Sequence, residues 1–153
     1  MAGPTRAVAP DRPADPERPL NVGYVSPDFR MHPVAMFLLP LLAHHDRERY
    51  RIHCYATRAD EDKVTFRLRA QVQAWRDITA LSDDVAAKLI RDDGIDVLVD
   101  LAGHTGWNRL LLFARRPAPV QVSWLGYLNT TGMQPLDARL TDGVATPPEF
   151  DAY

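Results

Sequence analysis

Three short polar segments carry the residue types that could act on a small polar substrate. SPDFRMHPV places His32 directly before Pro33, a proline that can begin a helix. DLAGHTGWNR holds His104 beside Thr105, and its glycines let the backbone approach a ligand closely. GYLNTTGM contains a turn of short hydrogen-bonding and flexible residues, Asn129, Thr130, Thr131 and Gly132. Because histidine titrates near neutral pH, either His32 or His104 could accept a proton from a hydroxyl nucleophile or hold a phosphate oxygen.

The elements that must position these segments alternate between strands and helices. Short apolar runs predict strands at 20–26, 50–56, 75–78, 95–103 and 120–127. Helical spacing of apolar residues predicts helices at 33–45, which Pro40 should kink, and at 64–72 and 107–114. Another helix, capped by Ser82, should bury Val85, Leu89 and Ile90 and stop at Gly94. This alternation predicts an α/β fold with a Rossmann-like, mostly parallel sheet and helices on both faces.

In such a sheet, ligands bind beyond the carboxyl ends of the strands, where loops meet helix N-termini. Each of the three polar segments follows a predicted strand, so all three should open on one edge of the sheet. That edge is the predicted site. Taken singly, a histidine at the junction of a loop and a helix is more often structural than catalytic, and it is the convergence of the segments that favours function.

Several other chemistries lack the residues that they need. The histidines do not show HExxH spacing and Cys54 has no CxxC partner, so a metal site is not expected. The first strand ends in SPDF in place of a glycine-rich dinucleotide fingerprint, and GK[ST] is absent. Cys54 falls inside a strand, where an inert core thiol is expected. The acidic run of residues 60–62 reads as a solvated loop, and His44 and His45 as residues that favour a helix C-terminus.

The composition limits the cellular compartments and the classes of binding partner that are expected. The 153 residues have a formal net charge of −2 without a basic stripe, which argues against nucleic acid. The longest apolar run, MFLLPLLA, is far shorter than a bilayer requires, so no membrane partner is expected. A single cysteine favours a reducing compartment, with the cytoplasm as the default. Residues 1–19, rich in proline and arginine, are predicted to be a disordered linker.

The segments LNVGYVSPDFRMHPVAMFLLPLLAHHDRERY, DGIDVLVDLAGHTGWNRLLLFARRPAPVQVSWLGY and NTTGM resemble the O-GlcNAc transferase family, including its tetratricopeptide-repeat bacterial members and SPINDLY-type relatives. FARRPAPVQVSWLGY is the most specific part. The resemblance covers residues 20–153 and implies the amino-terminal lobe of a two-lobed GT-B glycosyltransferase, truncated here, with the second lobe absent and helical repeats upstream. It departs from the family at Leu128 and Asn129, where relatives often carry Pro-Gly, although asparagine tolerates a left-handed turn.

The resemblance implies metal-independent transfer of a sugar, usually N-acetylglucosamine from its uridine diphosphate donor, to serine or threonine hydroxyls of proteins. It assigns His32 as the catalytic base. The implied substrate-binding residues are those that match the family's rim motifs: Asp28, Pro33, Gly103, His104, Thr105, Tyr127, Thr130, Thr131 and Gly132. No cofactor is implied, because the nucleotide sugar is a substrate. The partners of the intact enzyme would be that nucleotide sugar, a protein or peptide acceptor and the carboxy-terminal lobe.

Alternatives remain open at the level of sequence. Because most donor contacts would come from the absent lobe, the isolated chain is expected to be inactive, and it could instead be a non-catalytic remnant or binding module that pairs with a separate donor-binding lobe. A second alternative is a small hydrolase, but the sequence has no G-x-S-x-G nucleophile elbow to support it. Arg115 and Arg116 are equally compatible with a phosphate contact and with surface ion pairs. The sequence leaves the donor sugar and the acceptor open.

Overall fold

One parallel sheet organises the part of the chain that the computed structural model describes, which is residue 15 and residues 17–147. Its strands are β1 (Leu20–Ser26), β2 (Tyr50–Ala56), β3 (Ala74–Asp77), β4 (Val97–Asp100), β5 (Val120–Trp124) and β6 (Ala138–Leu140). They lie in the order β3-β2-β1-β4-β5-β6, and neighbouring strands are parallel. The order reverses between β1 and β4. This reversal creates the crevice in which doubly wound folds bind ligands.

Helices cover both faces of the sheet, as the alternating pattern predicts. On one face lie α1 (Pro33–His44) and α2 (Lys63–Arg69), and on the other lie α3 (Asp83–Asp92) and α4 (Leu110–Ala114). Successive residues of β1 alternate between these layers, because side chains of a strand point to opposite faces. Tyr24 packs in the core with α1, and Val25 in the core with α3. Within the described residues, none of the helices has the length and apolarity needed to cross a bilayer.

Helix α1 runs through Pro40 as one helix from Pro33 to His44. Proline cannot donate the backbone hydrogen bond to Met36, but both residues are on the exposed side of the helix, where water can satisfy the free carbonyl. The predicted helix at 33–45 is therefore present with nearly the expected ends.

The prediction for α3 is correct at its cap and wrong for one core residue. The Ser82 hydroxyl accepts the Val85 N–H at 3.4 Å, and Gly94 adopts a left-handed φ of 71° just beyond the helix end. Val85 itself is 52% exposed, whereas Ala86 and Ala87 are buried with Ile90. The burial of Ile90 fixes the inward stripe, and Val85 falls outside it.

One predicted helix begins later than expected, and one strand of the sheet is not predicted. The predicted helix at 107–114 begins only at Leu110, since Trp107 has a φ of 62° that a right-handed helix cannot contain. Strand β6 is absent from the prediction. It has only three residues, two of them exposed, and it joins the sheet edge through backbone pairing with β5, so its side chains carry little apolar signal.

An ion pair holds the segment just before β1 against the sheet. Arg18 forms a bidentate ion pair with Asp96, at 2.6 and 2.8 Å, and the same carboxylate accepts the Asn21 N–H at 2.9 Å. Residues 1–14 and 16 of the predicted linker lie outside the described residues, as do residues 148–153. The described end of that segment is thus held by a specific contact at Arg18.

Candidate active site

Two of the predicted site segments leave neighbouring strands at the switch point. Val25 of β1 is paired with Asp100 of β4, so the loops that follow these strands begin side by side at the carboxyl edge. We call residues 27–32 the first rim loop, residues 57–62 the second, residues 101–109 the fourth and residues 125–137 the fifth, after the strands that precede them. All four leave the same edge, because the strands are parallel.

The first rim loop is held by hydrogen bonds from both of its flanks. The Asp28 N–H donates to the Ser26 hydroxyl at 2.9 Å, which turns the chain directly after β1. Phe29 is buried in the core, and its carbonyl accepts the Thr65 hydroxyl of α2 at 2.7 Å. The loop therefore reaches His32 with a fixed path.

Asp62 joins the first rim loop to the second. One oxygen caps α2 by accepting the Val64 and Thr65 N–H groups at 2.8 and 3.1 Å, and the other accepts the Met31 N–H at 2.6 Å. The hydrogen bond from Met31 is the main cause that lowers the pKa of this carboxyl. Residues 60–62 form a loop, as predicted, and within it Asp62 has a structural role that the sequence does not reveal.

His32 caps the N-terminus of α1 and remains accessible. Its Nδ1 accepts the Val34 N–H at 3.3 Å and lies 3.7 Å from Oδ2 of Asp28, while 37% of its side-chain surface is exposed. Pro33 occupies the first helical position, where its missing N–H is not needed. The imidazole thus lies on the rim at the switch point, on the same edge as the Gly103–Thr105 segment.

The contacts of Nδ1 in His32 determine which of the two ring nitrogens carries the proton. When Nδ1 accepts from Val34, the neutral ring carries its proton on Nε2. In the other neutral tautomer the proton is on Nδ1, on the side of the Asp28 carboxylate, whose Oδ2 lies 3.7 Å away, and Nε2 is then unprotonated. Asp28, predicted as a substrate-binding residue, therefore lies beside the His32 ring.

A buried carboxylate shapes the fourth rim loop. Asp100 accepts the Ala102 N–H at 3.0 Å, the Gly103 N–H at 2.8 Å and the Ser123 hydroxyl at 3.2 Å. Burial raises the pKa of Asp100, and the hydrogen bonds from Ala102 and Gly103 oppose that rise. The sequence contains this residue in a candidate loop, but only the structure shows that it holds the turn leading to His104.

Asp100→Asn is expected to loosen this turn. An amide matches the carboxylate in shape but replaces one accepting oxygen with a donating NH₂ group, which would face an N–H or the Ser123 hydroxyl. We expect a loss of about 1–3 kcal/mol in the free energy of unfolding, as for a buried group left unsatisfied. Urea unfolding at neutral pH measures it, and a wild-type midpoint for the variant would contradict this role.

His104 connects the fourth rim loop to the fifth. Its Nε2 lies 2.8 Å from the Thr131 carbonyl oxygen, and its ring meets Tyr127 edge to face at 5.4 Å between centroids. Because a carbonyl only accepts, Nε2 must carry a proton in this contact. His104 thus uses Nε2 to contact the fifth loop, whereas His32 uses Nδ1 to cap α1. Each histidine has one ring nitrogen engaged on the rim.

Gly103 allows the two loops to touch. It has a left-handed φ of 55°, and a Cβ at this position would lie 2.3 Å from the Cβ of Tyr127. A side chain would therefore push Tyr127 away and break the contact with His104. The predicted residues Gly103, His104, Tyr127 and Thr131 form one connected group.

The hydroxyls predicted to bind substrate are partly engaged in local turns. Thr105 donates to the Ala102 carbonyl at 2.8 Å, so its proton is directed inward. Thr130 accepts the Gly132 N–H at 3.2 Å, and Thr131 accepts the Met133 N–H at 3.4 Å. These last two contacts leave both hydroxyl protons available to a ligand. Gly132 supplies the left-handed residue of the turn, with a φ of 67°.

The two arginines left open by the sequence are engaged in ion pairs. Arg115 pairs with Asp84 and approaches Asp83 at 3.8 Å. Arg116 pairs with Asp137 at 2.7 Å and donates to the carbonyls of Pro119 and Pro135. The ion-pair interpretation therefore holds for both.

Comparison with known proteins gives consistent matches. Glycosyl transferase family 41 matches residues 7–153. SPINDLY of Arabidopsis thaliana, described as a probable UDP-N-acetylglucosamine-peptide N-acetylglucosaminyltransferase, is 45% identical over 91% of this chain and 16% of its own length. The UDP-N-acetylglucosamine-peptide N-acetylglucosaminyltransferase of Caenorhabditis elegans is 38% identical over 84% of this chain and 11% of its own length.

A solved structure agrees with these matches. A mutant O-GlcNAc transferase of Thermobaculum terrenum aligns with a TM-score of 0.89 and 48% identity, over 96% of this chain and 28% of that one. The chain thus spans about 15% of the length of its most similar curated relatives. The sheet topology and this alignment confirm the predicted fold class, a Rossmann-like lobe of a GT-B glycosyltransferase. The chain belongs to glycosyl transferase family 41.

Proposed function

We propose that this chain is the amino-terminal catalytic lobe of an enzyme that transfers N-acetylglucosamine from its uridine diphosphate donor to serine or threonine hydroxyls of proteins. The names of its relatives support the donor and the type of acceptor. One structural observation carries the proposal: the accessible imidazole of His32 lies at the switch point, with the Asp28 carboxylate 3.7 Å from Nδ1. This arrangement suits the removal of a proton from an alcohol.

The reaction can be written with its atoms balanced. Nε2 of His32 takes the proton of the acceptor hydroxyl as the oxygen forms a bond to the anomeric carbon of the sugar. The bond from that carbon to the diphosphate oxygen breaks, and the electron pair leaves with uridine diphosphate. The Asp28 carboxylate lies beside the resulting imidazolium, with Oδ2 3.7 Å from Nδ1.

The charge that develops on the diphosphate needs donors from elsewhere. Enzymes stabilise such charge with cations, helix N-termini or metal ions placed in advance. Arg115 and Arg116 are already paired with carboxylates in this lobe. We propose that most of the donor-binding cations belong to a carboxy-terminal lobe that faces this rim, and that the reaction needs no metal.

A second candidate is a binding module that pairs with a donor-binding lobe on another chain. It is favoured by an apolar surface on α1, a helix that is apolar on most sides but leaves Met36, Phe37 and Leu41 exposed. In either case the protein belongs in a reducing compartment such as the cytoplasm, since Cys54 is buried and unpaired. The two candidates differ in whether transfer occurs within one polypeptide.

Transfer of a radiolabelled sugar tests the proposed function. The full-length protein that carries this sequence is incubated with UDP-N-acetylglucosamine labelled in the sugar and with serine- or threonine-containing peptides. We expect label on the peptide, and none when the acceptor residue is replaced by alanine. Other labelled nucleotide sugars run in parallel, and efficient transfer from one of them in place of UDP-N-acetylglucosamine would contradict the proposed donor.

The isolated chain should not bind the donor by itself. Calorimetric titration of residues 1–153 with UDP-N-acetylglucosamine is expected to give no measurable heat of binding, because the cations that hold the diphosphate belong to the other lobe. The same titration of the full-length protein is the positive control. Saturable binding to the isolated chain would place the donor site in this lobe and contradict the proposal that the other lobe binds the diphosphate.

A further inference from the structure

Trp107 is an exposed aromatic residue in a strained backbone conformation at the rim. Its φ is 62°, in the left-handed region that disfavours every residue with a Cβ, and 67% of its surface is exposed. Exposure of this extent means that the indole adds little to the core of this lobe. Such strained residues persist where their surroundings fix them, and they concentrate at functional sites.

The surroundings of Trp107 hold it in place without burying it. Its carbonyl accepts the hydroxyl of the buried Thr57 at 3.0 Å, and the Thr57 N–H donates to the Ser26 carbonyl at the end of β1. The guanidinium of Arg58 lies over the indole at 5.3 Å from the ring centroid. The fourth rim loop is therefore fastened to the second, and the ring is presented to solvent with one face covered by an arginine.

The same second rim loop also supports the catalytic histidine. Thr57 and Arg58 contact Trp107 at the start of that loop, and Asp62 accepts the N–H of Met31 at its end. Met31 immediately precedes His32. Trp107 and His32 are thus fixed to the two ends of one six-residue segment, 57–62, on the same edge of the sheet.

We propose that Trp107 selects the protein acceptor by packing its indole against an apolar side chain close to the reacting serine or threonine. This inference depends on the proposed function. A polypeptide acceptor whose hydroxyl reaches His32 continues on both sides of the reacting residue, and at about 3.3 Å per extended residue its flanking side chains can reach other rim loops. The exposed indole offers such a chain an apolar contact with little loss of side-chain freedom.

The charges around the ring favour the acceptor over the nucleotide donor. Arg58, the cation next to the indole, is paired with the carboxylate of Asp60. The guanidinium that covers the indole therefore already has an anionic partner, which weakens its attraction for a diphosphate. An apolar side chain of a polypeptide, in contrast, needs only the open surface of the indole.

Trp107→Gly separates this role from a structural one. Glycine adopts a φ of 62° without strain, and this relief offsets the greater freedom that glycine gives the unfolded chain, so the free energy of unfolding should stay close to that of the wild type. In the full-length protein we expect its acceptor KM to rise about tenfold for a peptide with an apolar residue near the serine, the size of effect typical of an aromatic anchor. The donor KM should stay unchanged, as should the rate with a peptide that carries glycine at those flanking positions. Trp107→Phe should retain most of the preference.

Phe66→Ala is the matched control. Phe66 is also an exposed aromatic residue, 57% accessible, with the Arg69 guanidinium 5.9 Å from its ring centroid, but it lies within α2 and not on a rim loop. Its replacement should leave both KM values at the wild-type level. Equal KM for the two peptides in wild type and Trp107→Gly, or a rise in the donor KM instead, would overturn the acceptor role while leaving the proposed function intact. If the wild-type protein transfers no sugar, both the acceptor role of Trp107 and the proposed function are wrong.

Discussion

Gly126→Ala is expected to lower the free energy of unfolding by at least about 3 kcal/mol, at the upper end of what overpacking costs. A Cβ at position 126 would lie 1.7 Å from the Leu101 carbonyl oxygen and 2.6 Å from its carbon, both backbone atoms. Neither of the two backbone segments can move away easily, because both are hydrogen-bonded. The Leu101 N–H is bonded to Val25 at 3.0 Å, and the Gly126 N–H to Trp124 at 2.8 Å. Urea unfolding measures the loss.

Gly106→Ala is the matched control on the same rim. A Cβ at Gly106 would have no heavy atom within 4 Å, and Gly106 does not have a left-handed φ. This change should leave the free energy of unfolding unchanged or raise it by about 0.4–1 kcal/mol, because alanine restricts the unfolded chain. If both variants unfolded at the wild-type urea concentration, the close contact between the fourth and fifth rim loops would not exist in solution.

His32→Asn is expected to slow sugar transfer by a factor of about 10² to 10⁴, the usual contribution of a positioned general base. Asparagine is among the best residues for capping a helix N-terminus, so the bond that His32 makes to the Val34 N–H can be replaced. The variant should therefore keep the wild-type unfolding free energy and donor affinity. Single-turnover transfer under saturating donor measures the chemical step.

His32→Ala provides the comparison for this variant. Alanine removes the cap together with the base, so some stability should be lost in addition to activity. Equal rates for the two variants, with only His32→Ala destabilised, would assign the loss of rate to the imidazole itself. Transfer by His32→Asn at the wild-type rate would instead leave His32 with a capping role only.

The arrangement of the sheet could be predicted because its signals are local and strong. The apolar runs of β1, β2 and β5 and the cap at Ser82 each require one kind of element, and parallel strands place the loops after them on one edge. The position of His32 before Pro33 is likewise visible in the sequence. The shared rim of the predicted site follows directly from this topology.

The internal contacts of the rim could not be predicted, since they join residues that are distant in the sequence. The bond of Asp62 to Met31 and the contact of His104 with Thr131 depend on loop paths that residue type does not encode. The sequence around Trp107 predicted the wrong conformation, because an apolar residue before a helical run is read as part of the helix. Its left-handed φ is imposed by neighbours in two loops.

The base role of His32 is tested most directly by comparing two acceptor peptides that differ only in serine or cysteine at the reacting position. A thiol, with a pKa of about 8.5, is already partly ionised near neutral pH and needs less help from a base than an alcohol does. His32→Asn should therefore slow transfer to serine by a factor of about 10² or more and transfer to cysteine far less. An equal loss with both peptides would show that His32 positions the acceptor and does not take its proton.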